Sequence, residues 1–91
     1  MITYEWVVEE LDRHGDIVDV NHYDTLKDAR RYEEHLRGDG AEVDVGLVRF
    51  DYSNDGAHLD KGWAYFVEGK LPVVFDNGSR VPKKYIAESV K

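Results

Sequence analysis

Ile2, Tyr4, Trp6 and Val8 alternate with Thr3, Glu5, Val7 and Glu9 along the first ten residues. A period of two is the signature of a half-buried strand. Asp12-Arg13-His14-Gly15 follows, and it suits a type I turn closed by a left-handed glycine, a common hairpin connection. With Asp12 facing Asp16, the expected register sets Val8 opposite Val20 and Trp6 opposite His22 on the core face. The other face then carries Leu11 with Ile17, Val7 with Asn21, and Glu9 with Asp19.

The period then changes. Leu26, Ala29, Tyr32 and Leu36 fall on one side of a helix over about residues 26–37, with Lys27, Arg30, Arg31 and Glu34 outward. Thr25 followed by Asp28 resembles a capping box, and Gly38 suits the position just past the last turn. Residues 41–52 read as a strand whose alternation slips once: Val43 and Val45 share one parity, and Val48, Phe50 and Tyr52 the other. Either a bulge near Gly46-Leu47 restores one core face, or the strand is central and covered on both faces. After a polar loop from Ser53 to Gly62 come a strand at 63–67, a Glu68-Gly69 turn and a partner strand at 71–75. Asn77-Gly78 adds a strong hairpin signal, and Pro82 could open a short helix carrying Tyr85, Ile86 and Val90. The expected fold class is α+β: one domain over residues 1–91, an antiparallel sheet in the order ββαβββ with one α-helix packed on one face, and a short C-terminal helix or edge segment.

Composition sharpens this picture in three ways. Eleven aromatic residues, among them Tyr4, Trp6, Phe50, Trp63, Tyr65 and Phe66, make a core plausible without covalent staples. The lack of cysteine removes disulfides, thiolate metal sites and thiol nucleophiles, and fits a reducing compartment. Residues 1–5 lack a basic leader pattern and no apolar run is long enough to span a bilayer, so a cytoplasmic location is expected. The net charge of −7 disfavours direct binding to nucleic acid and to anionic membranes. That charge is uneven: residues 1–60 hold 16 acids and 6 bases, residues 61–91 hold 3 acids and 6 bases.

Candidate chemistry is sparse. Asp51-Tyr52-Ser53-Asn54-Asp55-Gly56 matches the opening of a calcium loop, but Gly62 stands where the bidentate glutamate belongs. His14, His22, His35 and His58 have no chelating spacing, and His22 is expected as a packed histidine near Trp6. No serine sits in a nucleophile elbow and no phosphate loop occurs. No catalytic residue, metal or cofactor is expected.

One electrostatic feature remains. The face away from the helix is expected to carry Glu5, Glu9 and Asp19, joined by Glu42, Asp44 and Asp51. Glu9 opposite Asp19 is a like-charge pair, mildly destabilising and therefore conspicuous. These six residues form the expected partner-binding face for a basic protein. In size, charge and lack of motifs the chain resembles the small acidic proteins of phages and mobile elements, anti-CRISPR proteins and DNA mimics among them. That resemblance implies an inhibitor or modulator of a nucleic-acid-binding protein. The alternative is a self-associating structural domain, favoured by the two-ended charge and an open strand edge. A further, lesser alternative is a small hydrolase or metal-dependent enzyme built on His22, His58 and loop carboxylates.

Overall fold

The structure is a computed structural model and describes residues 1–52 and 59–90. The hairpin at its start is built on its turn. The Asp12 carboxylate accepts the backbone N–H groups of His14 (2.8 Å) and Asp16 (3.0 Å). Gly15 follows with φ +83°, which a Cβ would strain. Strands β1 (Ile2–Leu11) and β2 (Ile17–Tyr23) run back from this turn.

The expected register holds only for the first pair, Leu11 with Ile17. The ladder then shifts: Glu10 pairs with Asp19, Glu9 with Val20, Val8 with Asn21, Val7 with His22 and Trp6 with Tyr23. Val18 is therefore the extra residue of a β-bulge. One unpaired residue transfers every later β2 side chain to the opposite face. Val8 and Val20 consequently lie on different faces, and His22 leaves the core side.

Helix α1 (Leu26–Gly38) starts at Thr25, whose hydroxyl accepts the Asp28 N–H at 3.2 Å. A second carboxylate comes from far along the chain: Glu88 Oε2 accepts the Leu26 N–H at 2.7 Å. At the other end Gly38 is still helical, Asp39 is the cap, and Gly40 takes the left-handed position at φ +84°. Leu26, Ala29 and Leu36 are buried against the sheet, with Tyr32 packed beside them.

Strands β3 (Glu42–Asp51) and β4 (Asp60–Tyr65) complete an antiparallel sheet of order β2-β1-β3-β4. β3 pairs with β1 without a break from Asp51 opposite Ile2 to Glu42 opposite Leu11. The slip in its alternation is that of a central strand covered on both faces. Val43, Val45 and Leu47 join the core under α1, and Val48 and Phe50 form a second cluster on the far side. β4 begins three residues earlier than the aromatic run predicts, because Asp60, Lys61 and Gly62 pair with Asp51, Phe50 and Arg49.

Beyond β4 the chain crosses the sheet edge and packs on the α1 side. Glu68 and Gly69 both have positive φ (51° and 79°) in a tight turn closed by the Val67–Lys70 bridge. The last extended element of the expected order is a short hairpin held by the Val74–Arg80 bridge, beside the four-stranded sheet. Its route is fixed at Gly62, where an added Cβ would lie 2.9 Å from Asn77 Nδ2 and 3.1 Å from Phe75 Cβ. Leu71, Phe75 and Val81 enter the main core, and helix α2 (Lys83–Ser89) lays Tyr85 against Tyr4 and Trp6. No described helix is long and apolar enough to cross a membrane.

Candidate interaction surface

On the side of the sheet turned away from α1, the buried apolar cluster is made of β1, β3 and β4 residues. The register places Glu5, Val7 and Glu9 of β1 there, with Val20 and His22 of β2. β3 adds Glu42, Asp44, Val48 and Phe50, and β4 adds Lys61, Trp63 and Tyr65.

This outer face shields its own apolar patch with long side chains. Val7, Val48 and Phe50 are buried, with Trp63 packed against them. His22 stacks over Phe50 (ring centroids 6.2 Å apart) and brings its Nδ1 to 2.7 Å from Glu5 Oε2. Lys61 Nζ lies 5.7 Å from the Phe50 ring centre, its stem covering apolar surface. Trp63 and Tyr65, two apart on β4, stack with centroids 5.9 Å apart and planes within 1°. Both indole and phenol remain half-buried.

The Tyr65 ring comes close to β3 because its neighbour there is Gly46. A Cβ there would meet the Ala64 carbonyl oxygen at 2.8 Å and Tyr65 Cδ1 at 3.0 Å. Beside the ring lies Glu9, a carboxylate only 3% exposed that acts on the Tyr65 phenol. Burial first, then the neighbouring Glu9 carboxylate and the charges of Asp44 and Asp76, push the Tyr65 phenol above its usual range. The Trp63 backbone is also pinned, since Asp76 Oδ1 accepts its N–H and Asp76 N donates to its carbonyl, both at 2.9 Å.

Four of the six predicted carboxylates meet on this face: Glu5, Glu9, Glu42 and Asp44. Two do not. Asp19 lies on the α1 side opposite Glu10, because the Val18 bulge reverses its parity. Asp51 also turns to the α1 side, opposite Ile2, and pairs with Arg49 at 3.6 Å. The like-charge pair across the outer face is Glu9 with Asp44 instead of Glu9 with Asp19. Sequence reasoning missed Trp63 and Tyr65 here, placing them in the main core. Their signal was parity: each pairs with an even-numbered β3 residue, the set opposite to Val43, Val45 and Leu47.

Ser53, Asn54, Asp55 and Gly56 of the calcium-like segment, and His58, lie outside the described residues. Among the described residues no group of three His, Cys, Asp or Glu side chains is placed to hold a metal ion. No family model, curated protein or solved structure matches the chain.

Proposed function

We propose that the chain is a non-enzymatic interaction protein that docks its outer sheet face on a basic, nucleic-acid-binding protein as an inhibitor or modulator. The observation that supports this is the pinned Trp63–Tyr65 stack set among Glu5, Glu9, Glu42 and Asp44. A pair of half-buried aromatic rings on a face that also carries carboxylates suits arginine. A guanidinium stacks on the rings while its N–H fork pairs with a carboxylate. Trp and Tyr are also the side chains that most often carry binding energy at interfaces, most of all when already held in place. The acidic border steers a basic partner inward and rejects acidic ones. A partner bound in this way would lose the surface it otherwise offers to nucleic acid, as happens with the anti-CRISPR proteins and DNA mimics the chain resembles in size and charge.

Affinity capture from the native cytosol, at low and high salt, tests the proposal. The expected result is a basic protein retained at low salt, released at high salt, and not retained by Asp44→Lys or Trp63→Ala. Equal retention by the wild type and both variants would contradict it.

A further inference from the structure

A second docking surface, independent of the sheet face, lies at one end of the molecule. The hairpin after β4 and helix α2 enclose an apolar groove of about 350 Å³. Val73, Val81, Ile86 and Val90 line it, Arg80 and Lys83 border it, and among the described residues no carboxylate lies on its walls. Its frame is tied by the Val81 N–H to Val73 carbonyl bond at 2.9 Å and the Val74–Arg80 bridge. Val73 and Val90 are strongly exposed for aliphatic residues.

An apolar surface with the opposite charge border sits at the other end. At the bulge of β2, Ile17 is 53% and Val18 57% exposed. Asp16 and Asp19 flank them, and Asp12 supports the turn beneath. One end thus carries an apolar corner with an acidic border, and the other an apolar groove with a basic one. The two cannot meet within one chain. Ile17 is level with Leu11, whereas α2 packs against Tyr4 and Trp6 and reaches Leu26. Seven strand residues separate the levels of Tyr4 and Leu11, about 23 Å.

We propose that the chain associates head to tail with copies of itself, the Ile17–Val18 corner of one copy entering the α2 groove of the next. The charge complementarity selects a second copy, since the chain carries both halves of the junction. The Val18 bulge also disfavours the competing mode, edge-to-edge pairing of β2, because bulges interrupt the backbone ladder such pairing needs. A heterologous contact of this kind leaves a free corner and a free groove at the two ends, so it builds open chains or closed rings.

Sedimentation velocity over a range of concentration and salt tests this with three proteins. The wild type should rise above 10.5 kDa with concentration at low salt and return toward it at high salt. A corner variant, Ile17→Ser with Val18→Ser, and a groove variant, Arg80→Glu with Lys83→Glu, should each stay monomeric alone. Their equimolar mixture retains one intact corner and one intact groove, and should form a species of twice 10.5 kDa that grows no further. A monomeric wild type under all conditions, or a mixture that stays monomeric, would overturn the proposal. So would a groove variant that still associates while the corner variant does not, which points to edge pairing. Trp63→Ala and Asp44→Lys, which test the sheet face, should leave the association unchanged.

Discussion

Gly46 and Trp6 show how single positions decide what each face of the sheet can be. At Gly46 the constraint is space: a Cβ would press on the Ala64 carbonyl oxygen at 2.8 Å, which is backbone and cannot swing aside. Gly46→Ala should therefore cost about 1–3 kcal/mol, the usual penalty for overpacking, and loosen Tyr65 from Glu9. Denaturant unfolding measures the first effect and tyrosine fluorescence the second; an unchanged midpoint would show that β3 absorbs the methyl. Trp6 is fully buried between Phe66 and Tyr85, and its indole N–H has no hydrogen-bond partner among the described residues. Its role is packing alone, so Trp6→Ala should cost about 3–5 kcal/mol, most of the margin of a small domain. A loss below about 1 kcal/mol would contradict that role. Tyr65 gives a pH dependence with a definite sign. Its phenol is raised in the folded protein, so its contribution is complete below the ordinary phenol range near pH 10 and is lost as pH rises above it. The wild type should lose stability in alkali more steeply than Tyr65→Phe, as measured by thermal midpoints across that range.

At the scale of elements, the chain announces much of its own punctuation. The Asp12–Gly15 turn, the Thr25 cap, the apolar face of α1 and the Glu68-Gly69 turn are local, and each follows from residues within four positions. What sequence could not show was non-local. The Val18 bulge has no glycine or proline to mark it, and it reverses the parity of Asp19, Val20 and His22 at once. Gly46 resembles a bulge in sequence, but its conformation serves a ring on the next strand. Glu88 as a cap for α1 joins residues 62 positions apart, beyond any local pattern. That contact also carries a prediction. A carboxylate accepting a first-turn N–H satisfies an orphan donor and meets the positive end of the helix dipole. Glu88→Gln should keep the helix but lower stability by about 0.5–1 kcal/mol, and Glu88→Ala by about 1–2 kcal/mol. Equal midpoints for all three proteins would show that Thr25 caps the helix alone.

Over the whole molecule, charge and apolar surface are distributed together. The acids of β1 and β3 share one side of the sheet with aromatic residues, and Arg80 and Lys83 border the groove formed with α2. Asp76 holds the Trp63 backbone, and Gly46 and Glu9 lie beside the Tyr65 ring. Four of the six carboxylates expected on this face were legible because β1 and β3 keep an unbroken register, while the two that left it sit at a bulge and at a strand end. If the face works by steering, its acids act chiefly on the rate of encounter and the aromatic rings on the lifetime of the complex. The most direct measurement is stopped-flow association with the captured basic partner over a series of salt concentrations. Glu42→Lys with Asp44→Lys should slow association severalfold at low salt and flatten its salt dependence, Trp63→Ala should mainly speed dissociation, and Glu34→Lys on the outer side of α1 should do neither. Association rates for the Glu42→Lys, Asp44→Lys protein that match the wild type at every salt concentration would contradict docking through the sheet face.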